Sequence, residues 1–236
     1  MKVCVVGYGA MGKIVAELLG DELSTVVALE CENKKLEDTD GDFDCIIDFS
    51  SPYNLDMICD YANKYNKPVV FATTGYTEEQ LFKIKELSRY VPVLQSANFS
   101  LGINLLNRIV KLITPILKDD FDIEIVEAHH HNKVDAPSGT AKMLLNSVKE
   151  ATGFNEVNGR VGNSLRKPNE IGVHAIRGGS IVGEHDVMYC GLDEVITLKH
   201  SAYSKSVFAV GAIKAARFLV NQEIGFYTMN DVLFND

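Results

Sequence analysis

Short apolar runs alternate with amphipathic segments over residues 1–99. Runs rich in Val, Ile and Phe that end at polar turns predict strands, and apolar positions three and four apart predict helices. The predicted strands are Lys2–Val6, Thr25–Leu29, Cys45–Phe49, Pro68–Ala72 and Val91–Leu94. The predicted helices are Lys13–Gly20, Asn54–Tyr65 and Thr77–Ser88, the last with a capping box formed by Thr77 and Gln80. Strands that alternate with helices predict a parallel sheet with right-handed crossovers.

The pattern changes after residue 100. Leu101–Leu117 predicts a long apolar helix, which Pro115 is expected to kink or stop. Apolar and acidic residues alternate in Phe121–Val126, as in a half-buried strand, and Ala141–Glu150 has helical spacing with Ser138 as its N-cap. Three strand-like runs then predict an antiparallel meander, followed by two closing helices. The runs are Gly172–Arg177, Ser180–Tyr189 and Asp193–Ser201, and the helices are Ser206–Val220 and Thr228–Phe234.

This change from alternating strands and helices to consecutive strands marks a domain boundary near residue 100. Residues 152–168 are rich in Gly and Asn and are expected to form an irregular loop. The sequence therefore predicts an α/β fold. A parallel-sheet domain comes first, and a smaller α+β domain with a mixed or antiparallel sheet follows.

Charge narrows the range of partners. The 236 residues carry a formal net charge of −9, and 46% of them are hydrophobic. So acidic a chain is not expected to bind nucleic acid, because nucleic-acid binders usually carry a basic patch. A site for an anion must therefore focus positive charge locally. The segment 127–133 (EAHHHNK) and the cluster Arg160, Arg166 and Lys167 are the places where it would do so.

The five cysteines, at positions 4, 31, 45, 59 and 190, form no CxxC pair. This favours a reduced, cytoplasmic compartment, with Cys4 and Cys45 as buried thiols. The opening residues MKVCVV lead directly into a glycine-rich turn, and no segment approaches the length of a membrane span. We therefore expect neither a signal peptide nor a membrane-embedded helix.

A glycine motif, Gly7-Tyr8-Gly9-Ala10-Met11-Gly12, follows the first predicted strand and opens the first helix. In this context GxGxxG is typical of a dinucleotide site: Gly7 permits the tight turn, Gly9 lets a pyrophosphate approach, and Gly12 permits close packing. Glu30, at the end of the second strand, is placed to bind ribose hydroxyls. The alternative is a strand–turn–helix whose glycines serve packing only. Lys34 and Lys35 are candidates for a 2′-phosphate, although surface lysines are common.

Small polar residues follow three later strands at the carboxyl ends where ligands bind in parallel sheets. They lie in the segments 50–52, 72–74 and 96–99. These loops are expected to line a nicotinamide pocket. Loops of this composition are also common as simple turns.

The segment Glu127–Ala141 (EAHHHNKVDAPSGTA) concentrates the candidate chemistry. It predicts a strand end, a cationic loop and a helix start. The amides of the helix start, with Lys133 and His130, would hold a carboxylate or phosphate, and a histidine would transfer a proton near neutral pH. A metal site is the alternative for three adjacent histidines, although neighbouring positions of a strand point to opposite faces. A solvated structural loop is the other alternative.

These motifs resemble those of the dihydrodipicolinate reductase family. Besides EAHHHNKVDAPSGTA they include GYGAMG at 7–12, DFS at 48–50, ATTG at 72–75, SANFSLGIN at 96–104 and IRGGSIVGEHDVMY at 176–189. The resemblance covers essentially the whole chain. It implies reduction of a cyclic imine dicarboxylate with NAD(P)H in lysine and diaminopimelate biosynthesis. It also implies a Rossmann-type domain of 1–99 joined by the returning helices of about 206–236, and a domain of 100–205 that binds substrate and builds a homotetramer.

Residue roles follow from the resemblance by position. His129 would be the catalytic acid/base, and Lys133 a proton donor that also holds the substrate. His130, Gly139 and Thr140 would bind a substrate carboxylate. The residues that would hold the nicotinamide cofactor are Gly7, Tyr8, Gly9, Ala10, Met11, Gly12, Glu30, Ala72, Thr73, Thr74, Ser96, Ala97, Asn98 and Phe99. No metal is expected, and the resemblance gives no role to His131.

Three departures from the family pattern stand out. GYGAMG is shorter than the frequent GxxGRMG and lacks its arginine, and ATTG replaces the commoner GTTG. The position after Glu30, often arginine in the family, is Cys31. This removes a partner for a 2′-phosphate and favours NADH over NADPH. The alternatives are another two-domain NAD(P)-dependent oxidoreductase acting on an imino or amino acid, and a non-catalytic NAD sensor.

Overall fold

The computed structural model describes residues 1–27, 36–39 and 41–234, and the chain forms two compact units. Unit 1 comprises Met1–Leu101 and Lys205–Asp236, so the last part of the chain returns to the unit in which it begins. Unit 2 comprises Gly102–Ser204. The nucleotide-binding and substrate-binding roles expected of the two parts stay predictions.

Strands and helices alternate through the first part of the chain, whereas strands dominate the end of unit 2. The strands are β1 (Val3–Val6), β2 (Leu23–Val27), β3 (Cys45–Asp48), β4 (Val69–Phe71), β5 (Pro92–Gln95), β6 (Asp122–His129), β7 (Asn155–Asn158), β8 (Glu170–Arg177), β9 (Gly183–Gly191), β10 (Glu194–Ala202) and β11 (Gly225–Tyr227). The helices are α1 (Ala10–Leu19), α2 (Leu55–Tyr65), α3 (Glu78–Leu87), α4 (Leu101–Leu117), α5 (Gly139–Thr152), α6 (Ser206–Leu219) and α7 (Met229–Phe234).

The sheet of unit 1 has the order β11-β5-β4-β3-β1-β2, and its strands pair in parallel. Every residue of β1 and β3 is buried, as expected of strands with helices on both faces. Val3 and Val5 pack into an apolar cluster with α1 and α6. Cys4 and Val6 point to the other face and pack with α2 and α3. The predicted parallel α/β sheet is confirmed.

The sheet of unit 2 is mixed, with the order β10-β9-β6-β8-β7. β6 is its central strand and runs antiparallel to β9 and parallel to β8. One face of this sheet packs against α4 and α5. Ile123 and Ile125 of β6, Val173 of β8 and Val187 of β9 supply the core on that face. Unit 2 is thus an α+β layer whose helices lie on one side.

Most predicted helix ends are found in the structure. The Thr77 side chain and the Gln80 side chain form the reciprocal capping box of α3, and Ser138 caps α5. Pro115 lies inside α4, and the helix ends soon after it, at Leu117. The described thiols are free, with Cys4, Cys45 and Cys59 buried and Cys190 half-buried. Within the described ranges, no helix has both the length and the apolar character needed to cross a membrane.

The predicted antiparallel meander is wrong in one respect. β9 and β10 do form an antiparallel hairpin, but β8 does not pair with β9, because β6 lies between them. Two strands were also not predicted. β7 lies within the expected loop of 152–168, and its sequence NEVN is polar because it lies at an exposed edge. β11 has only three residues and takes its place beside β5 through sheet pairing rather than through a pattern of its own.

Candidate active site

Strand β6 carries two polar residues on its core-facing side. Successive strand residues point to opposite faces, so Ile123, Ile125, Glu127 and His129 share one face. The two isoleucines belong to the core of unit 2, and both Glu127 and His129 are buried beyond them. A carboxylate on the buried face of a central strand needs partners, because an unpaired buried charge is costly.

The Glu127 carboxylate receives four hydrogen bonds. The guanidinium of Arg177, on the neighbouring strand β8, donates from Nη1 to Oε2 at 2.8 Å and from Nη2 to Oε1 at 2.7 Å. His129 Nδ1 lies 2.6 Å from Oε2, and the Ser138 amide donates to Oε1 at 3.0 Å. Burial by itself would raise the pKa of Glu127, but the hydrogen bonds from Arg177, His129 and Ser138 outweigh it and hold this pKa below its usual range. Glu127 is therefore an anion at neutral pH.

This anion fixes the proton arrangement of His129. A carboxylate only accepts hydrogen bonds, so Nδ1 carries the proton that it shares with Glu127, and Nε2 is the nitrogen that can exchange one with a ligand. Burial lowers the pKa of His129, the contact with Glu127 raises it, and the charges of Lys133 and Arg177 lower it, so that the balance lies below the ordinary value. Gly183, whose added Cβ would lie 3.2 Å from His129 Nε2, leaves room for the ring.

Lys133 lies on the loop after β6 and pairs with a residue of the same loop. Its ammonium group donates to Asp135 Oδ1 at 2.7 Å, and this hydrogen bond lowers the pKa of Asp135. Arg177 Nη2 donates to the carbonyl oxygen of Asp135 at 2.6 Å. The same arginine therefore joins Glu127 to the segment that carries Lys133.

The three adjacent histidines do not converge. His129 is buried, His130 is half-buried and His131 is exposed, with the His131 amide bonded to the Gly179 carbonyl at 3.2 Å. Among the described residues, no group of three or more His, Cys, Asp or Glu side chains is arranged to hold a metal ion. Of the three, only His129 is joined to the buried carboxylate.

Ser138 connects this network to the start of α5. Its hydroxyl oxygen accepts the Ala141 amide at 3.1 Å and lies 2.9 Å from His185 Nε2. The His185 ring meets the His129 ring edge-on, with 5.2 Å between centroids. Burial, followed by the charge of His129, lowers the pKa of His185 to about 4, so its imidazole is neutral at physiological pH.

Gly139 and Thr140 form the first turn of α5, a helix of 14 residues with no acidic side chain in that turn. Gly139 is exposed, and no described atom lies within 4 Å of a Cβ added there. Packing within the protein therefore does not explain this glycine. The open space suits close approach of a ligand anion to the helix start. Thr140 is half-buried and takes part in a further interaction within the protein.

The three glycines of the motif in unit 1 differ in the space around them. Gly7 has a φ of +98°, and a Cβ on it would collide with the Phe49 carbonyl oxygen, while a Cβ on Gly12 would collide with the Gly7 carbonyl oxygen. A Cβ on Gly9 meets no described atom within 4 Å. Gly9 precedes α1, which has no acidic residue in its first turn. These residues fit a nicotinamide dinucleotide, because the structure leaves open space where a pyrophosphate would meet the helix start.

Asp48, at the carboxyl end of β3, organises the neighbouring loops. Its buried carboxylate accepts hydrogen bonds from the Ser50 amide at 3.0 Å, from the Ser50 hydroxyl, and from Tyr76 Oη at 2.8 Å. The Ser50 amide also lies 2.9 Å from Thr73 Oγ1, which ties the loop after β3 to the loop after β4. Burial raises the pKa of Asp48, and the hydrogen bonds with Ser50, Thr73 and Tyr76 only partly offset this.

The remaining cofactor candidates lie at the same edge of the unit 1 sheet, where β1, β4 and β5 end. Ala72, Thr73, Asn98 and Phe99 are buried, Ser96 and Met11 are half-buried, and Tyr8, Ala10, Thr74 and Ala97 are exposed. Ser96 Oγ donates to the Asn98 carbonyl at 2.8 Å. Glu30, Cys31, Lys34 and Lys35 lie outside the described residues, so their predicted roles are not examined by the structure.

Sequence reasoning missed four residues of these networks: Glu127, Arg177, His185 and Asp48. The sequence did indicate Glu127, because alternate strand residues share a face and Glu127 therefore lies on the same face as Ile123 and Ile125. A charged residue on this core face is unusual. Asp48 directly follows the buried run Cys45–Ile47, which is a similar signal. Arg177 and His185 lie near His129 only because β8 and β9 pair with β6. The spacing of residues along the sequence does not predict this pairing.

Comparisons with solved structures show the fold of the chain. A dihydrodipicolinate reductase from Paenisporosarcina sp. TG-14, solved with dipicolinate bound, matches with a TM-score of 0.76 at 20% identity and covers 97% of both chains. A scyllo-inositol dehydrogenase from Lactobacillus casei, solved with NAD(H) and scyllo-inositol, matches with a TM-score of 0.55 at 13% identity and covers 99% of this chain and 93% of that one. Both matches extend over nearly the whole chain, so they show its fold, a parallel α/β sheet followed by a mixed sheet.

Sequence comparisons then give the family. Residues 1–99 match the family model for the N-terminus of dihydrodipicolinate reductase, and residues 102–233 match the model for its C-terminus. The 4-hydroxy-tetrahydrodipicolinate reductase of Brachyspira hyodysenteriae is 48% identical over 99% of this chain and 100% of that protein. The Clostridium novyi enzyme of the same name is 48% identical over 95% of this chain and 94% of its own length. The chain belongs to the dihydrodipicolinate reductase family of NAD(P)H-dependent oxidoreductases, which confirms the resemblance seen in the sequence.

The glycine motif yields a matched pair of variants. Gly9→Ala adds a methyl group into open space and is expected to weaken NAD(P)H binding at least tenfold while leaving the free energy of unfolding nearly unchanged. Gly12→Ala forces a collision with backbone and is expected to destabilise the protein by about 1–3 kcal/mol, as overpacking does. Fluorescence titration with NADH and urea unfolding measure the two effects. Equal cofactor affinity in Gly9→Ala and the unaltered protein would contradict a dinucleotide site.

The buried His185 predicts a pH dependence of stability. Its pKa is about 4 in the fold, below the ordinary value of 6.5, so protonation favours unfolding. The stability gained by keeping His185 neutral is present above pH 6.5 and is lost as the pH falls towards 4. One pKa unit is worth about 1.4 kcal/mol, so the loss is roughly 3 kcal/mol.

Urea unfolding at several pH values, compared with His185→Gln, measures this contribution. The unaltered protein should lose more stability on acidification than His185→Gln does. His131→Gln is the control, because that histidine is exposed and should leave the pH dependence as it is. A pH-independent difference between the unaltered protein and His185→Gln would show that His185 does not titrate in this way.

Proposed function

We propose that this chain is a 4-hydroxy-tetrahydrodipicolinate reductase. It reduces the cyclic imine dicarboxylate with NAD(P)H to tetrahydrodipicolinate, a step of lysine and diaminopimelate biosynthesis. The observation that carries the proposal is the site at the end of β6. A histidine paired with a buried carboxylate lies there beside a lysine and the start of a helix. Relatives with this activity are 48% identical to the chain over nearly its full length.

The substrate carries two carboxylates, and the loop after β6 supplies donors for them. Lys133 and His130 are hydrogen-bond donors on the loop, and Gly139 and Thr140 open α5. A helix N-terminus attracts anions because the aligned peptide dipoles place partial positive charge there. Charge-assisted hydrogen bonds from Lys133 strengthen this recognition. The open space around Gly139 supports approach of a carboxylate to the backbone.

His129 is the proposed acid/base. Its Nδ1 is held by Glu127 at 2.6 Å, so Nε2 is the atom that exchanges a proton with the substrate. Burial lowers the pKa of His129, Glu127 stabilises the charged form, and the charges of Lys133 and Arg177 lower the pKa further, so that the balance favours release of the proton. Lys133 is proposed as a second proton donor that also binds the substrate. Loss of water from the substrate yields the conjugated ring that is reduced.

The cofactor is proposed to bind at the carboxyl ends of the unit 1 strands. Gly7 to Gly12 would hold the pyrophosphate, Glu30 the ribose, and the loops 72–74 and 96–99 the nicotinamide. When bound there, NAD(P)H supplies the hydride. NADH is the proposed preference, because Cys31 stands where an arginine would meet a 2′-phosphate.

Assembly and location complete the proposal. The face of the unit 2 sheet that points away from α4 and α5 carries Ile176 and Val195, each about half exposed. Exposed apolar side chains on a sheet face support self-association, and we propose a homotetramer, which light scattering of the purified chain decides. A cytoplasmic location is proposed from the free thiols of the described cysteines.

Two substitutions test the proposed chemistry. His129→Ala should lower kcat by about 10²–10⁴-fold with a small effect on KM, because general acid–base catalysis contributes that much. Lys133→Ala should lower kcat and raise KM, because Lys133 both binds substrate and donates a proton. His131→Ala is the matched control and should retain full activity. The assay follows oxidation of NADH with freshly generated substrate.

Two results would contradict the proposal. If the unaltered chain does not oxidise NADH with this substrate, the function is wrong. If it does but both His129→Ala and Lys133→Ala keep full kinetics, the residue assignment is wrong and the function stands.

Cofactor preference is tested in the same assay. The ratio of kcat/KM for NADH to that for NADPH should exceed unity in the unaltered chain. Cys31→Arg should shift the ratio towards NADPH, because a guanidinium pairs well with a 2′-phosphate. A strong preference for NADPH in the unaltered chain would show that other groups bind the 2′-phosphate, with Lys34 and Lys35 as the first candidates.

A further inference from the structure

We propose that Glu127 is a positioning residue of the reaction, which locks the His129 imidazole and the start of α5 into one geometry through a single carboxylate. The inference rests on the proposed function, because it assigns Glu127 to the same site. Glu127 is not expected to touch the substrate: its side chain has no exposed surface. It acts through the groups that it holds.

The hydrogen bonds of Glu127 restrain both oxygens of its carboxylate. Oε1 takes the Ser138 amide and Arg177 Nη2, and Oε2 takes His129 Nδ1 and Arg177 Nη1. Each oxygen thus has two donors, close to the full capacity of a carboxylate. Rotation of the carboxylate would break several of these bonds together. The imidazole plane and the Ser138 backbone are therefore set by one rigid group.

The donors come from three separate parts of unit 2. His129 ends β6, Arg177 ends β8, and Ser138 is the N-cap of α5. Arg177 supplies two of the four hydrogen bonds to the carboxylate. The additional bonds to His129 and to the amide that immediately precedes Gly139 join the proposed proton donor to the proposed carboxylate receptor. This juxtaposition is the main observation behind the inference.

Arg177 extends the same network to Lys133. It binds both oxygens of Glu127 and the carbonyl of Asp135, whose side chain holds the Lys133 ammonium at 2.7 Å. The path from Glu127 through Arg177 and Asp135 to Lys133 consists of direct contacts. Both proposed proton donors are therefore held relative to Glu127.

The negative charge of Glu127 also sets how readily His129 carries a second proton. The titratable and charged groups that act on the His129 ring are Glu127 on β6, Lys133 on the loop, Arg177 on β8 and His185 on β9, and Asp135 contacts Lys133 and Arg177. Lys133 and Arg177 disfavour the imidazolium, and the Glu127 carboxylate favours it. Removing that charge alone should make the imidazolium harder to form.

Glu127→Gln tests the inference, because it keeps the size of the side chain and removes the charge. An acid catalyst works below its pKa and fails as the pH rises through it. The alkaline limb of the kcat–pH profile should therefore move about one pH unit lower, with kcat at neutral pH reduced about tenfold. Glu127→Asp keeps the charge and should leave the limb nearer its original position, although its shorter reach lowers kcat.

Glu124→Gln is the matched control. Glu124 lies on the other face of the same strand, where it pairs with His174 at 2.8 Å and with Arg160 at 3.2 Å. It is thus also a β6 carboxylate with a histidine partner and with two arginine partners, Arg160 and Arg166, but it has no place in the proposed site. Its kcat–pH profile should match that of the unaltered chain. A kcat–pH limb that stays in place in Glu127→Gln would overturn the inference.

A second readout does not depend on activity. Nitrogen NMR of histidine-labelled protein, with His129→Gln for assignment, reports the protonated ring nitrogen and the pKa of His129. Glu127→Gln should lower that pKa and release the preference for a proton on Nδ1. If the unaltered chain proves inactive, the proposed function fails, and the NMR result still decides whether Glu127 positions His129. Should Glu127→Gln not fold, Glu127→Asp must show lower kcat with a retained limb, and unchanged kcat would overturn the inference.

Discussion

One buried ion pair, between Glu127 and Arg177, is the constraint on which unit 2 depends. The Glu127 side chain has no exposed surface, so its charge must be matched inside the protein. Breaking a buried pair by removing one partner typically costs about 3–5 kcal/mol, since the other charge is left without compensation. The pair links the ends of β6 and β8, and through Asp135 and Ser138 it also fixes both sides of the loop that carries Lys133. The conformation of a polar, surface-reaching loop is thus set by a group in the core.

Unit 1 uses a related arrangement with a different electrostatic outcome. Asp48, like Glu127, is a buried acid near the carboxyl end of a central strand, and it ties neighbouring loops together. Its partners are hydroxyls and an amide, and burial raises its pKa. Glu127 has a guanidinium and an imidazole, and its pKa is lowered. The partners of Asp48 only partly offset the effect of burial on its pKa, whereas the partners of Glu127 outweigh it. Local partners, rather than burial itself, decide which role a buried acid takes.

The sequence predicted much of this, and the misses have physical causes. The GYGAMG turn, the capping box at Thr77, the Ser138 N-cap and the parallel sheet follow from local patterns, and all are found. Strand order in unit 2 does not follow from local patterns, because β6 enters between β8 and β9 from a distant part of the chain. For the same reason Arg177 and His185 could not be placed beside His129 in advance. The burial of Glu127 could have been predicted, because Glu127 lies two and four residues after Ile125 and Ile123 and therefore points to the core face of β6. The predicted roles of residues 28–35 are a separate matter, because these residues lie outside the described structure.

His129, held by the buried Glu127 carboxylate, is the proposed proton-transferring residue in this member of the reductase family. The proposed reaction depends on direct hydride transfer from the nicotinamide to the cyclic imine dicarboxylate. The most direct test uses NADH carrying deuterium at C4 of the nicotinamide ring, with freshly generated substrate, and mass spectrometry of the product. Direct hydride transfer predicts that the deuterium of the transferred position appears in tetrahydrodipicolinate. Oxidation of the labelled NADH without label in the product, or no reaction at all, would contradict it.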